Sequence, residues 1–178
     1  MNTDMGKIQK SSNAALIIAR ICKILFIAMA TLVFVIGILF VSFLNDYFNE
    51  AISALGEKVS VSVPNNMGTF LGIGNRLVMQ LDDNAITLGV YMITMGVYLT
   101  ILAVLMHYIG KVFRDIKEGY SPFQQSIVKN MKIASIIITL ISLNSSLLIG
   151  ALIGFSLWCV VYVFQYGCKL QRESDETL

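Results

Sequence analysis

The sequence predicts an all-α membrane protein with four transmembrane helices, both termini in the cytoplasm, and a small extracellular segment with a short strand between helices one and two. Hydrophobic residues make up 56% of the chain and charged residues 13%, whereas about a quarter of the residues in a soluble domain are charged. The apolar residues also form long uninterrupted blocks. Basic residues concentrate in the N-terminal region and in the connection between the second and third helices. Residues 1–178 form one predicted domain.

The first transmembrane helix is predicted at 14–44. Its apolar part, Ile24 to Leu44, has 21 uncharged residues, which exceeds the roughly 7 to 15 of a cleavable signal. At about 1.5 Å per residue it reaches about 31 Å, close to the thickness of a bilayer's hydrocarbon core. We expect the helix to start near Asn13, with Arg20 and Lys23 at the level of the lipid headgroups.

Residues 45–84 form a polar segment that we expect outside the cell. It opens with NDYFNEAISAL, which is typical of a short amphipathic helix. The alternating valines of EKVSVSV, at 57–63, predict a strand, and Pro64 ends it. The remainder has no clear period, so we expect a small cap packed on the ends of the helices.

The other three transmembrane helices are predicted at 85–109, 128–143 and 147–168. Residues 133–168 carry no charge over 36 positions, and a single helix of that length would measure about 54 Å, too long for one crossing. Asn144, Ser145 and Ser146 are the best turn residues between two crossings. Small residues permit close helix packing in two of these helices. They are Gly89 and Gly96 in the second helix, and Gly150 and Gly154 in the fourth.

The distribution of basic residues predicts the orientation. The N-terminal region has four Lys and Arg residues and the region from Lys111 to Lys132 has five, against two in the segment 45–84. The positive-inside rule therefore places both basic regions in the cytoplasm. With four crossings, the elbow at 110–127 and the tail at 169–178 are cytoplasmic, and the protein is a multi-pass protein of the cell membrane.

The elbow has well-defined local signals. We expect the second transmembrane helix to continue through FRDIKE and to end at Gly119 in a left-handed cap. Ser121 is the predicted N-cap of the next helix, with Pro122 at its first position and Gln124 completing a capping box. The new helix then has one apolar face, made by Phe123, Ile127 and Met131.

The residue pattern argues against an enzyme or an ion-coupled transporter. The apolar runs contain no Asp, Glu, Lys or Arg, whereas transporters usually place ionisable groups there. His107 is the one histidine, the three cysteines have no metal-site spacing, and no catalytic motif is present. We expect no cofactor and no metal. A polar cluster of Tyr91, Tyr98 and Asn144 within the membrane is the candidate lining of a ligand cavity.

The basic elbow and the acidic tail are the candidate docking surface for a partner. Both are predicted on the cytoplasmic side, within reach of each other. A solvated tail and headgroup-facing lysines are the alternative interpretation. The candidate docking residues are Arg114, Lys117, Gly119, Pro122, Phe123, Gln171, Glu173, Asp175 and Glu176.

The same two stretches resemble a known family. The elbow FRDIKEGYSPF, with Lys129 and Lys132 after it, and the tail YVFQYGCKLQRESDETL are similar to a family of small uncharacterised bacterial four-helix membrane proteins. That family is a domain of unknown function whose members are often encoded beside a helix-turn-helix regulator. The resemblance implies a membrane partner of a DNA-binding protein, and it implies no catalytic residues.

We therefore expect a non-enzymatic membrane protein with a regulatory or sensory role. Its expected partners are the lipid bilayer, a cytoplasmic regulator protein and further copies of the same chain, with no direct binding of nucleic acid. The alternative is small-molecule or peptide handling, as an exporter component or as an immunity protein against a membrane-active peptide.

Overall fold

The computed structural model describes residues 2–54, 84–118 and 123–176, and these residues form five helices. No strand occurs within these ranges, and the strand predicted at 57–63 lies outside them. The short amphipathic helix predicted after the first transmembrane helix is confirmed as α2. The helices are α1 (Asn2–Ser42), α2 (Asn45–Ala54), α3 (Asn84–Glu118), α4 (Gln125–Ser145) and α5 (Leu147–Glu176).

Four of the five described helices are long and apolar enough to cross a membrane, which confirms the predicted number of apolar helices. The protein is therefore a multi-pass membrane protein in contact with lipid. Which membrane it occupies and which side each terminus faces stay predictions. The candidate spans are Ile8–Ser42, Ala85–Glu118, Gln125–Asn144 and Leu147–Glu176.

Three of these helices are longer than a bilayer requires. The 21 residues of α4 measure about 31 Å, but the 41 residues of α1 and the 35 of α3 measure about 62 and 52 Å. Near the C-terminal end of α1, Val41 packs against Gly89, close to the start of α3. The excess length therefore lies at the opposite end, which we call the basic end because it carries Arg20, Lys23 and Lys111.

The helix α1 begins earlier than predicted. It starts at Asn2 and not near Asn13, and it ends at Ser42, two residues before the predicted end. Contacts to the extended α3 are made at Ser12 and Asn13, near the predicted start of the helix. The hydroxyl of Ser12 donates a hydrogen bond of 2.5 Å to the carbonyl oxygen of Phe113. These contacts stabilise a polar stretch of the chain. The stretch has no apolar face, so its sequence does not predict a packed helix.

Close packing joins α1 and α3 as an antiparallel pair. The buried positions of α1 include Ser12, Leu16 and Ala19, at steps of four and three, and then Ala30 and Gly37, seven apart. This is the spacing of helices that pack along a heptad seam. Most of these residues are small, so the two backbones approach closely without a large apolar core.

The glycines predicted to mediate helix packing in α3 do so. Gly96 lies under the ring of Phe34, and a Cβ atom at Gly96 would come 3.0 Å from that ring. Gly89 faces Gly37 and Val41 of α1. The prediction of a packing face at these two positions is confirmed.

The helices α4 and α5 form a tight antiparallel hairpin, with the turn where the sequence predicts it. Ser146 is extended, with φ −160° and ψ 133°, and its N–H bonds to the carbonyl of Ser142. A Cβ atom at Gly150 would collide with the backbone of Leu143, and one at Gly154 would lie 2.6 Å from Cγ2 of Thr139. The Gly-x-x-x-Gly pair is therefore the closest contact surface of the hairpin.

The long helices are arranged in a row. Among the described residues, α1 packs on α3, α3 on α4 and α4 on α5, and α5 approaches no other helix. The outer helices consequently expose large apolar side chains such as Ile24, Leu32 and Phe155. A soluble monomer rarely exposes so much apolar surface, which is consistent with lipid around this row.

The elbow differs in part from its prediction. As predicted, α3 continues to Glu118, but Gln124 is the extended residue before α4, with φ −108° and ψ 144° and no side-chain cap hydrogen bond. The predicted capping box with Gln124 inside the helix is therefore wrong, while Gly119, Ser121 and Pro122 lie outside the described residues. Phe123, the residue before Gln124, packs on α5 through the ring of Phe164.

Candidate functional site

The side chain of Phe123 joins the elbow to α5. Its ring centroid lies 5.8 Å from that of Phe164, at an interplanar angle of 45°. A Cβ atom at Gly167 would lie 2.5 Å from Cδ1 and Cε1 of Phe123, so the ring sits directly on this glycine. Phe123 is nevertheless 40% exposed. One edge of the ring is therefore covered by α5 and another remains accessible.

Residues 169–176 of the acidic tail are the last part of α5. The helix continues to Glu176, and two ion pairs span one turn each: Lys169 with Glu173 at 3.7 Å, and Arg172 with Glu176 at 2.7 Å. All four side chains are largely exposed. Solvent screening limits such pairs to a few tenths of a kcal/mol.

The acidic residues at this position do not favour the helix. The C-terminal end of a helix carries partial negative charge from its free carbonyl groups, so carboxylates there are unfavourable. Glu173, Asp175 and Glu176 occupy the last described turns of α5, and no basic residue lies in its last turn. The ion pairs of Glu173 and Glu176 partly offset this effect, whereas helix stability gives no reason for Asp175.

The elbow and the tail meet in a hollow of about 290 Å³, which we call the elbow-tail hollow. It brings together four of the residues predicted for partner docking, with Cys168 and Arg172 beside them. Asp175 has no ion-pair partner among the described residues. The hollow is lined by Phe123, Gln125, Cys168, Gln171, Arg172, Asp175 and Glu176.

The basic residues Arg114 and Lys117, predicted for the same surface, lie elsewhere. Lys117 donates a hydrogen bond of 2.9 Å to Oδ1 of Asn13 on α1. Arg114 lines a separate cavity between α1 and α3. The structure therefore separates the described docking residues. Arg114 and Lys117 lie with α1 and α3, whereas Phe123, Gln171, Asp175 and Glu176 line the hollow.

A larger basic groove lies between α4 and α5. Its volume is about 630 Å³, and its cationic residues are Lys129, Lys132, Lys169 and Arg172, with Tyr162 and Tyr166 beside them. The sequence marks Lys129 and Lys132 as basic but gives no sign that α5 adds two cations opposite them. Only the register of the hairpin, fixed by the contacts at Gly150 and Gly154, brings these residues together.

The polar cluster predicted within the membrane stays a prediction. Tyr91 and Tyr98 are half-buried along α3, and Asn144 is half-buried at the end of α4. The cavities described above are lined by other residues. The nearby hydroxyls of Thr94 and Thr100 bond to carbonyls of their own helix, at 2.8 and 2.9 Å.

The described residues offer no metal centre. Within residues 2–54, 84–118 and 123–176, no three His, Cys, Asp or Glu side chains come together in a group that could hold an ion. Cys22, Cys159 and Cys168 are free thiols. The arrangement at the basic end offers both charged and apolar groups for binding.

Comparison with family models, with curated proteins and with solved structures finds no match to this chain. The resemblance of the elbow and tail to a bacterial four-helix family therefore stays a prediction.

Proposed function

We propose that this chain is a non-enzymatic regulatory membrane protein that docks a cytoplasmic partner protein in the elbow-tail hollow. One observation carries the proposal. The hollow places the accessible edge of Phe123 beside the carboxylate of Asp175, at the end where three helices extend beyond the length of a bilayer. The positive-inside rule predicts that this end faces the cytoplasm.

The hollow defines the chemistry of the partner. An apolar side chain can pack on Phe123 and Cys168, while a lysine or arginine pairs with Asp175, since Glu176 is already paired with Arg172. An apolar anchor with charged residues at its rim is a common arrangement in protein interfaces. The carboxylates oppose the dipole of α5, so binding of a basic partner offsets an unfavourable feature of the isolated helix.

The resemblance of the elbow and tail to a family encoded beside transcription regulators supports a regulator as the partner. In this proposal the partner is held at the membrane by protein contacts, and the chain does not contact nucleic acid itself. Copies of the chain can also associate through the exposed apolar faces of the outer helices.

A photo-crosslinking residue placed at Phe123 tests the proposal in cell membranes that contain the full chain. We expect an adduct with one cytoplasmic protein. The adduct should be lost when Asp175→Lys reverses the charge of the hollow, since a basic partner is then repelled. Phe155 is the matched control position, because it is 73% exposed on the central part of α5 and should crosslink to lipid.

A second measurement uses affinity capture of the full chain and of a chain without residues 171–178. We expect the partner identified by crosslinking to be retained by the full chain alone. If neither form retains a cytoplasmic protein, or if the adduct at Phe123 is unchanged by Asp175→Lys, docking in the hollow is disproved.

Handling of a small molecule or membrane-active peptide is the second candidate, and one observation favours it. A groove of about 440 Å³ with mostly apolar walls opens between α4 and α5, and Thr139, Gly154 and Trp158 are among its lining residues. Trp158, the one tryptophan of the chain, reports on this groove. Concentration-dependent quenching of its fluorescence by a brominated apolar ligand, abolished by Ala151→Leu at an exposed lining position, would support this function.

A further inference from the structure

A second basic cavity lies between α1 and α3, at the basic end. Its volume is about 150 Å³, and Leu16, Ala19 and Gly110 form its apolar wall. A cavity of about this size is large enough for a molecule such as benzene, so a phosphate group fits. His107 and Met106 also line it, together with four cations: Arg20, Lys23, Lys111 and Arg114.

The helix pairing explains why four cations converge there. Arg20 and Lys23 are three residues apart on α1, and Lys111 and Arg114 are three apart on α3, so each pair lies along one helix face. Gly110 approaches Ala19 and Leu16, since a Cβ atom at Gly110 would lie 3.7 and 3.9 Å from these side chains. This contact brings the two pairs of cations to opposite sides of one cavity.

No carboxylate lines the cavity. Asp115, the acidic residue next to Arg114, accepts a hydrogen bond of 3.2 Å from Asn130 of α4. Among the described residues, none of the four cations forms an ion pair. Lys111 instead lies over the ring of Tyr108, 5.3 Å from its centroid. Positive charges that line one cavity without a carboxylate make its electrostatic potential positive, and a bound anion would be attracted to it.

The cavity lies where the hydrocarbon core of a bilayer would end. Lys23 directly precedes the uncharged run that begins at Ile24, and Lys111 directly follows the run 85–110, which contains no Asp, Glu, Lys or Arg. Apolar side chains just inside this level are exposed, including Ile24, Ile27 and Val104. A group bound in the cavity would therefore have its charge at the headgroup level, with apolar surface below it for acyl chains.

We propose that this cavity is a binding site for the phosphate group of an anionic phospholipid. The guanidinium groups of Arg20 and Arg114 can each bind two phosphate oxygens, and the ammonium groups of Lys23 and Lys111 add charge. Basic pockets between transmembrane helices on the cytoplasmic side bind lipid headgroups of this kind. The bound lipid would link α1 to α3 at the end where both helices leave the membrane.

Native mass spectrometry of the full chain in neutral detergent, titrated with phosphatidylglycerol or with phosphatidylcholine of the same acyl chains, tests this site. We expect selective retention of phosphatidylglycerol. The double variant Lys23→Gln/Lys111→Gln should weaken its binding by about tenfold or more, since each basic residue near the surface contributes on the order of a factor of five. Lys23→Arg/Lys111→Arg keeps the charges and should retain binding.

The matched control is Lys10→Gln/Lys129→Gln, which removes two exposed charges at the same end but none from the cavity. It should bind phosphatidylglycerol as the unmodified chain does. If both glutamine double variants lose binding equally, general surface charge is responsible and the site is disproved. Gly110→Leu fills the cavity without changing a charge and should also weaken binding; unchanged binding there would equally contradict the site.

Inorganic phosphate distinguishes the two sources of a phosphate group. Phosphate compared with chloride at equal ionic strength should not displace phosphatidylglycerol from the unmodified chain. If phosphate displaces the lipid, and the displacement depends on Lys23 and Lys111, the cavity binds a phosphate group. The assignment to a phospholipid would then be overturned. Circular dichroism and size-exclusion chromatography of every variant establish that it is folded before its binding is compared.

Discussion

Gly37 and Gly89 face each other across the contact between α1 and α3. A Cβ atom at Gly89 would lie 2.9 Å from the carbonyl oxygen of Gly37, and one at Gly37 would lie 3.0 Å from that of Gly89. The two backbones therefore approach so closely that neither position has room for a Cβ atom. The pair sets the spacing of α1 and α3, and hence the position of the cationic residues at the far end.

Gly89→Ala tests this backbone contact. The new Cβ atom would lie 2.5 Å from Cγ2 of Val41 as well as close to the backbone of Gly37. We expect the free energy of unfolding in detergent to fall by about 1 to 3 kcal/mol, as for overpacking in a core. Gly110→Ala is the control, because its Cβ atom would make ordinary contacts and alanine favours a helix. Equal stability of the two variants would contradict the close packing.

Gly150→Ala tests the hairpin of α4 and α5. The added Cβ atom would collide with the backbone nitrogen and Cα of Leu143, which cannot move independently of α4. Gly154→Ala meets the side chain of Thr139, whose rotation can relieve the contact. We expect a lower thermal transition temperature for Gly150→Ala than for Gly154→Ala. The reverse order would show that the hairpin is not tightest at its turn.

Ser12→Ala removes the hydrogen bond to the carbonyl of Phe113 at a buried position. We expect the free energy of unfolding to decrease by about 1 kcal/mol, the usual contribution of such a bond. Ser11 is the neighbouring control, because it is exposed and Ser11→Ala should change little. Protection of the Phe113 region from hydrogen exchange should decrease in Ser12→Ala alone. Equal protection in both variants would contradict this contact.

The predicted orientation is tested by fusions after Leu178. A reporter enzyme that is active only outside the cytoplasm should be silent, and one that is active only in the cytoplasm should be active. The same reporters inserted in the segment 45–84 should give the opposite result. Activity of the external reporter at the C-terminus would overturn the predicted topology.

Much of the fold is predictable because long apolar runs have few alternatives in a membrane. Charge-free stretches predict the four long helices, and Asn144 to Ser146 predict the turn, because a run of that length exceeds one crossing. The packing roles of Gly89, Gly96, Gly150 and Gly154 also follow from their small size. The start of α1 at Asn2 was not predicted, because residues 2–13 are polar and their contacts to α3, at Ser12 and Asn13, are far away in sequence.

The elbow shows why local capping signals did not predict the start of α4 correctly. The Ser-Pro-Phe-Gln pattern favours a capping box, yet Gln124 is extended and Phe123 packs on Gly167. The contact of the Phe123 ring with α5 is non-local, so the capping pattern does not predict it. The predicted docking residues are likewise separated, because Arg114 and Lys117 face α1 while Phe123 and Asp175 face the hollow.

The sequence by itself determined the class of protein, the number of apolar helices and the concentration of basic residues between them, because these depend on composition along the chain. The tertiary structure alone decided which charges share a cavity. Arg20 and Arg114 are far apart in sequence, and only the antiparallel register of α1 and α3 brings them to one site. That register depends on glycine contacts whose partners no local pattern specifies.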